Sequence, residues 1–176
     1  MNYKYYKEID KNIYYPDKTS ENIDLQVEEI FVKGHYEEGR KRAGVVLDLG
    51  GNVGLTSLYF SPVASKIYVL EPIKEYFECL KKNLKGLSNI EAFNVAIGLD
   101  DGSGLMKTVN NSEFAFSLFG NGREGESGTI VKTVRIDTFF EQNKIEHIDV
   151  MKIDIEGMEY ALFGGDTFEK VAPKID

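Results

Sequence analysis

The feature that most constrains the fold is the stretch from Val45 to Phe60, in which a buried strand runs into a glycine-rich bend and then into a helix. Residues 45–49 are Val-Val-Leu-Asp-Leu, an apolar run typical of a parallel strand that is covered on both faces. Three glycines follow within five residues, and apolar residues then recur at helical spacing. Glycines suit a bend whose backbone approaches a ligand closely or adopts a positive φ. This order of elements predicts a nucleotide-binding α/β fold, in which ligands bind outside the carboxyl ends of the strands.

The bend has the order Asp-Leu-Gly-Gly-Asn-Val-Gly, which departs from the G-x-G-x-x-G pattern of dinucleotide-binding folds. It resembles the first motif of class I S-adenosylmethionine-dependent methyltransferases, D/E-x-G-x-x-x-G. S-adenosylmethionine has no phosphate, but it carries a sulfonium, an ammonium, a carboxylate and a ribose. We expect Asp48 to attract the cationic end of this ligand, and backbone N–H groups at the start of the helix to bind its carboxylate. The cofactor-binding residues predicted in the bend are Asp48, Gly50, Gly51, Asn52 and Gly54.

Length and charge limit the remaining classes of function. The chain has 176 residues and a net charge of −8, which is the size of one domain and disfavours nucleic acid as a partner. It has a single cysteine, Cys79, and therefore no intrachain disulfide. The N-terminus is polar, and no apolar run approaches the roughly 20 residues of a membrane span. These features predict a cytoplasmic protein without a membrane span.

The chain before the first core strand predicts an N-terminal arm and helix over residues 1–42, ahead of an S-adenosylmethionine-binding domain over residues 43–176. Residues 1–20 contain five tyrosines and predict an irregular arm or short strands. Apolar residues then recur at helical spacing from Glu21 to Gly34, and we expect this helix to lie across the mouth of the cofactor site. The histidine that follows, His35, is expected to be an exposed loop residue.

A second strand, residues 67–70, ends in Glu71 and Pro72, and Glu71 lies 23 residues after Asp48. An acidic side chain at this position accepts hydrogen bonds from both ribose hydroxyls of an adenosine ligand; the alternative is an ordinary surface carboxylate. Residues 89–98 predict a third strand that runs into a loop over the adenine. In that loop we assign Asn94 to the exocyclic amine and include Ala96 among the cofactor-binding residues.

The fourth unit, residues 148–159, places Lys152, Asp154 and Glu156 at the end of a buried strand. Clustered charge at the carboxyl end of a central strand indicates a site, whereas acidic residues in a first helical turn can simply complement the helix dipole. We favour the dipole explanation for Glu159. The hypothesis is that Asp154 or Glu156 acts as general base and that Lys152 places or polarises the acceptor. Two carboxylates without a third ligand are weak evidence for a metal, so none is predicted.

Together these segments resemble the FkbM family of methyltransferases over about residues 25–176. The most specific match is the run Lys-Ile-Asp-Ile-Glu-Gly-Met-Glu at 152–159. The resemblance implies S-adenosylmethionine-dependent methylation, generally of a hydroxyl group on a small molecule, a sugar or a lipid-like compound. The other matching residues are 48–54, Glu71, Pro72, 94–98 and Asp137.

The predicted fold class is α/β, a Rossmann-like class I methyltransferase sandwich with a mostly parallel sheet. Class I domains carry seven strands, and here residues 174–176 resemble the start of the fifth. We therefore expect a sheet truncated after the fourth or fifth core strand, whose exposed edge favours self-association. The long segment 110–128 is expected to pack its aromatic half over the cofactor or the acceptor, with a mobile glycine-rich half.

Three alternatives remain open at this stage. An NAD-dependent oxidoreductase shares the sheet. An amino methyltransferase acting on nucleic acid is expected to carry an N-P-P-Y-like run after the fourth strand, where this chain has Asp-Ile-Glu-Gly at 154–157. A fragment that binds the cofactor without catalysing a reaction is the third.

Overall fold

The computed structural model describes residues 1–17, 19–109, 113–116, 128–155, 158–163 and 166–176. Its strands are β1 (Asn2–Tyr6), β2 (Lys11–Tyr15), β3 (Val45–Leu49), β4 (Lys66–Leu70), β5 (Ile90–Phe93), β6 (Ala96–Ile97), β7 (Gly102–Val109), β8 (Glu113–Phe116), β9 (Thr129–Val134) and β10 (Val150–Ile153). Its α-helices are α1 (Ser20–Val27), α2 (Glu37–Arg42), α3 (Leu55–Phe60), α4 (Lys74–Asn83), α5 (Ile136–Gln142), α6 (Glu159–Phe163) and α7 (Asp166–Val171). A π-helical turn covers Glu28–Val32, and a 3-10 helix covers Ala172–Lys174. Among these helices, none is both long and apolar enough to cross a membrane.

A parallel sheet of four strands in the order β10-β3-β4-β5 forms the centre of the molecule. The two middle strands are apolar because both faces of the sheet are covered, and Val46, Leu47 and Ile67 are fully buried. Helices α3 and α4 connect β3 to β4 and β4 to β5. The predicted α/β, Rossmann-like architecture is confirmed. Since β3 and β10 are neighbours, the segments that follow them meet at one edge of the sheet.

The predicted third strand, residues 89–98, is wrong in one respect: it divides into β5 and β6, which belong to different sheets. The amide of Asn94 donates to the carbonyls of Glu71 and Pro72, so the chain turns out of the parallel sheet at this residue. Strand β6 then pairs in parallel with β9 in a second sheet of order β6-β9-β7-β8. Strands β7 and β9 pair antiparallel.

The N-terminal region forms an antiparallel hairpin of β1 and β2, followed by α1 and the π-helical turn. The predicted single helix from Glu21 to Gly34 therefore changes its hydrogen-bonding pattern at Glu28, whose carbonyl accepts from the N–H of Lys33. Residues of this region, including Ile13 and Ile23, share a hydrophobic core with Phe60 of α3. Residues 1–42 are thus packed against the sheet domain.

After β10 the chain passes through α6 and α7, and Ile175 forms a parallel bridge with Ile148. This bridge agrees with the prediction that residues 174–176 begin a fifth strand. The predicted helix from Glu156 is observed from Glu159, and residues 156–157 lie outside the described residues. Most of the predicted aromatic and glycine-rich segment, 110–128, also lies outside them.

Candidate active site

The glycine-rich bend after β3 is fixed against its neighbouring strands. The N–H groups of Gly50 and Gly51 both donate to the carbonyl of Leu70, at 3.0 and 2.8 Å. Gly50 has φ = +82°, and a Cβ at this position would collide with the backbone carbonyl of Asp154. A Cβ on Gly51 would overlap the side chain of Val69. Glycine is therefore required here by close backbone packing as well as by conformation.

A cavity of about 300 Å³ opens at the carboxyl edge of the sheet, between the bend and α1. Its floor includes Gly50, Asn52 and Glu71, and one wall consists of Val95, Ala96 and Ile97. Helix α1 covers the cavity with Asn22, Ile23 and Gln26, and Asp154 lies at the end next to β10. We call this space the first cavity. It lies where ligands of parallel α/β sheets bind.

Glu71 is the principal polar group of the first cavity, and it is 7% exposed. One carboxylate oxygen accepts from the N–H of Asn52 and the other from the N–H of Ile73, both at 2.8 Å. Burial raises the pKa of Glu71 to about 7, although these two N–H donors oppose the shift. Because a carboxylate oxygen has two lone-pair directions, each oxygen retains one for a ligand hydroxyl.

Asp48 does not line the first cavity, and it does not line the smaller second cavity that adjoins it and is described below. Its side chain is completely buried, one oxygen accepts from the Ser57 hydroxyl at 2.8 Å, and the other lies 3.3 Å from Nζ of Lys152. The predicted direct attraction between Asp48 and a cationic ligand therefore has no support in the geometry. Asp48 instead neutralises a buried lysine beneath the bend.

Lys152 is 9% exposed and donates to the carbonyl of Gly50 at 2.5 Å. Burial alone would lower the pKa of Lys152, but the carboxylates of Asp48 and Asp154 outweigh it and raise the pKa above its ordinary value. Lys152 thus stays protonated and cannot serve as a general base. Its contacts hold the bend in place.

A second cavity, of about 180 Å³, adjoins the first and shares Gln26, Gly50, Asn52 and Asp154 with it. Its outer wall comes from the π-helical turn and the residues after it: Glu29, Ile30, His35 and Tyr36. Lys152 lies at its base. His35 is an exposed turn residue, as the sequence predicted, and it also lines this cavity.

Of the other predicted site residues that the structure describes, some line the first cavity and others do not. Ala96 lines the first cavity, whereas Asn94 is exposed and uses its amide group on the turn after β4. Asn94 lines neither cavity, and its assignment to the adenine amine stays a prediction. Gly54 has φ = +90° and precedes α3 without lining either cavity. Glu156 lies outside the described residues.

Among the described residues, two buried oxygens of the bend accept no hydrogen bond: Oδ1 of Asp48, which faces the Lys152 ammonium, and Oδ1 of Asn52. Of these, Oδ1 of Asn52 belongs to a residue that lines both cavities. Buried acceptors are normally satisfied, so this atom indicates a place for a donor on a ligand. Together with the Glu71 carboxylate and the close-packed Gly50, it fits an adenosyl ligand that carries hydroxyl and ammonium donors.

The parallel sheet and the cavity at its carboxyl edge define a nucleoside-binding α/β domain. The chain belongs to the FkbM methyltransferase family, since residues 48–175 match the methyltransferase FkbM domain. The methyl donor of this family is S-adenosylmethionine. Comparison with curated proteins gives no significant match.

Comparison with solved structures finds several similar chains. The YcgJ protein of Bacillus subtilis is 24% identical, with a TM-score of 0.27 over 32% of this chain and 31% of that one. A SAM-dependent methyltransferase of Leishmania major is 16% identical, with a TM-score of 0.35 over 47% and 42% of the two chains. The DhpI–SAH complex is 15% identical, with a TM-score of 0.34 over 72% and 80%. The matched region thus spans less than half of the first two of these proteins.

Proposed function

We propose that this protein transfers a methyl group from S-adenosylmethionine to a hydroxyl group of a small-molecule, sugar or lipid-like acceptor. The observation that carries the proposal is the buried carboxylate of Glu71, which two backbone N–H groups orient inside the first cavity. This arrangement suits the two hydroxyls of a ribose. Family membership supplies the class of reaction, and the identity of the acceptor atom as oxygen is our proposal.

In this proposal the first cavity binds the adenosyl part of the cofactor. Glu71 accepts hydrogen bonds from the ribose, and the wall formed by Val95, Ala96 and Ile97 packs against the adenine. The sulfonium supplies an electrophilic methyl group on the side of the cavity where Asp154 lies, and Asn52 lies between Asp154 and Glu71 on the floor. Their oxygens are acceptors, which suits a positively charged ligand.

Methyl transfer requires alignment and the removal of one proton. The acceptor oxygen forms a bond to the methyl carbon while the carbon–sulfur bond breaks and its electron pair stays on sulfur. The hydroxyl proton passes to a protein base. Holding the two reactants in line within a closed site supplies much of the acceleration.

Asp154 is our candidate for that base. Its side chain is 66% exposed and lines both cavities, so it reaches the boundary between the donor and the acceptor. Its carboxylate lies 3.8 Å from Nζ of Lys152. Glu156 remains the second candidate from the sequence. For Lys152, the proposal is that it fixes the bend and the position of Asp154 and acts on the acceptor only through them.

The test compares Asp154→Asn with Glu91→Gln, an exposed carboxylate on β5 outside both cavities. With a panel of hydroxylated acceptors, formation of S-adenosylhomocysteine should fall about 100-fold or more in Asp154→Asn, while cofactor affinity by calorimetry changes little. Normal turnover in Asp154→Asn would exclude it as the base.

The same experiment separates the alternatives. Binding of NADH in place of S-adenosylmethionine would favour an oxidoreductase. Binding of S-adenosylmethionine with no S-adenosylhomocysteine formed from any acceptor would favour a domain that only binds the cofactor. For nucleic acid, the net charge of −8 predicts no binding at physiological salt.

A further inference from the structure

Three side chains with metal-binding atoms meet at the amino edge of the parallel sheet, opposite the edge that carries both cavities. They are His147, Asp149 and Asp176, and one nitrogen or oxygen from each lies within 4.8 Å of the other two. Nε2 of His147 is 3.2 Å from Oδ1 of Asp149 and 3.5 Å from Oδ2 of Asp176. Two carboxylates from separate segments therefore face one imidazole nitrogen.

These separations suit ligand atoms around a tetrahedral ion. For Zn²⁺, with bonds of about 2.0–2.2 Å to nitrogen and oxygen, two ligand atoms of a tetrahedron lie about 3.4 Å apart. Hydrogen bonding explains less of the arrangement. Nε2 of His147 carries at most one proton for two carboxylates, and its 3.5 Å separation from Asp176 exceeds the usual range of about 2.7–3.2 Å.

Asp149 is held in place by the start of β3. Its Oδ2 accepts from the N–H of Val45, and its own N–H donates to the carbonyl of Val45 at 2.9 Å. A Cβ on Gly44 would collide with this carboxylate, so glycine permits the close approach. The N–H of Val45 holds the pKa of Asp149 below its ordinary value, which keeps the carboxylate ionised with Oδ1 directed at His147.

Asp176 reaches the cluster through the parallel bridge between Ile148 and Ile175. The N–H of Ile148 donates to the carbonyl of Lys174 at 2.8 Å, and the N–H of Asp176 donates to the carbonyl of Ile148 at 3.1 Å. Backbone hydrogen bonds thus position both carboxylates before any ion binds. An ion in the cluster would join the residues after the 3-10 helix to the beginning of β10.

The cluster also carries an excess of negative charge. Two carboxylates and a neutral imidazole carry two negative charges, which a dication balances. In the described part of the chain, the ion pairs of Asp149 and Asp176 are with His147 alone. The neighbouring ammonium of Lys174 donates instead to the carbonyl of Ile145.

We propose that His147, Asp149 and Asp176 form a site for a divalent transition-metal ion such as Zn²⁺. One imidazole nitrogen with two carboxylate oxygens favours Zn²⁺ over Mg²⁺ and Ca²⁺, which prefer oxygen ligands alone. Asp149 lies five residues before Asp154, about 16 Å along an extended strand, so the ion stabilises the fold and takes no part in methyl transfer. The inference is therefore independent of the proposed function.

The experiment uses the full chain without an affinity tag, freed of metals by EDTA and dialysis, with Zn²⁺ as the probe. Calorimetry should show one ion bound per chain with a dissociation constant below about 100 µM. Mg²⁺ and Ca²⁺ should bind about tenfold or more weakly than Zn²⁺. His147→Ala and Asp176→Asn should each weaken Zn²⁺ binding about tenfold or more, since each removes a ligand.

His35→Ala is the matched control, because the chain has two histidines and His35 lies at the opposite edge of the sheet. It should leave the affinity for Zn²⁺ unchanged. Absence of Zn²⁺ binding, tighter binding of Mg²⁺ or Ca²⁺, an unchanged affinity in His147→Ala or Asp176→Asn, or a loss of affinity in His35→Ala would each overturn the proposal.

Hydrogen exchange then locates the ion. In the unaltered chain, Zn²⁺ at ten times its dissociation constant should slow exchange of the N–H groups of Ile148 and Asp176 by about tenfold, because opening the bridge releases the ion. Asp176→Asn keeps both backbone hydrogen bonds and an exposed side chain, so it should fold normally but show no such protection. Equal protection by Zn²⁺ in Asp176→Asn would place the ion elsewhere and overturn the proposal.

Discussion

Lys152 and Asp48 lie directly opposite each other on neighbouring parallel strands, with Nζ and Oδ1 3.3 Å apart beneath the glycine-rich bend. Asp48 is fully buried, and Lys152 is nearly so. Lys152 also donates to the carbonyl of Gly50, so the ion pair and the bend form one unit. Asp48, the first residue of the bend sequence, thus acts by fixing a lysine on β10.

Replacing Lys152 by methionine should destabilise the protein by about 3–5 kcal/mol, because it leaves the Asp48 carboxylate buried without a counter-charge. The measurement is the free energy of unfolding in urea. The double variant Asp48→Asn with Lys152→Met should recover part of the loss. Lys81→Met is the control, since Lys81 forms a half-exposed pair with Glu78, and we expect it to change stability by less than about 1 kcal/mol. An equally small change in Lys152→Met would contradict the assigned role.

Cofactor binding should release a proton from Glu71. Burial raises its pKa to about 7, whereas ribose hydroxyls would stabilise the ionised carboxylate and lower that pKa. Affinity for S-adenosylmethionine should therefore fall as the pH drops below 7, by close to tenfold per unit until the pKa of the bound state is reached. Calorimetry at pH 6 in buffers of different ionisation enthalpy measures the protons released.

The same shift has an opposite effect on the unliganded protein. Since the folded state keeps a proton that the unfolded chain loses near pH 4.5, the stability contributed by Glu71 is present below that pH and is lost as the pH rises to about 7.

Glu71→Gln should abolish proton release and weaken cofactor binding about tenfold or more, because one oxygen acceptor is replaced by a donor. The exposed Glu91→Gln should do neither. Proton release that persists in Glu71→Gln would assign the linkage to another group.

Gly50→Ala and Gly86→Ala form a matched pair that separates conformation from crowding. Both glycines have positive φ, +82° and +90°, but a Cβ on Gly50 meets the Asp154 carbonyl while one on Gly86 meets nothing within 4 Å. Gly86→Ala should lose about 1–2 kcal/mol of stability, because alanine is strained in the left-handed conformation, and it should keep its cofactor affinity. Gly50→Ala should lose more stability and bind no cofactor. Equal behaviour in unfolding and calorimetry would show that the Asp154 contact is unimportant.

Helix α1 covers the first cavity, and Asp24 anchors it to the hairpin. We expect α1 to move when a ligand enters. The Asp24 carboxylate accepts from the Lys4 ammonium at 2.7 Å and from the Tyr6 hydroxyl at 2.6 Å. Asp24→Ala should speed cofactor release about fivefold, since a partly exposed pair contributes about 1 kcal/mol. Stopped-flow displacement measures this rate, with the exposed Leu25→Ala on the same helix as control. An unchanged rate would mean that α1 does not limit exchange.

Local sequence patterns predicted the elements whose cause is local. The apolar runs before Asp48 and Glu71 specify buried strands, and the glycines between them specify a bend that only small residues can form. Glu71 was found because it directly follows a strand at the ligand-binding edge of a parallel sheet. Its hydrogen bonds to the bend remained hidden until the chain was folded.

The misplaced and missed residues depend on contacts between distant segments. Asp48 pairs with a lysine 104 residues away because β3 and β10 are neighbours in a particular register. Asn94 turns the chain through carbonyls of another loop, which no periodicity reveals. His35 reaches the second cavity because the π-helical turn redirects the chain, and that turn is stabilised by packing on the sheet domain.

The central claim is that S-adenosylmethionine binds in the first cavity with its ribose on Glu71. A crystal structure of the full chain with S-adenosylhomocysteine tests it most directly. We predict both ribose hydroxyls within about 3 Å of the Glu71 carboxylate and the sulfur at the end of the cavity next to Asp154. A nucleoside bound elsewhere, or a ribose that does not contact Glu71, would contradict the account.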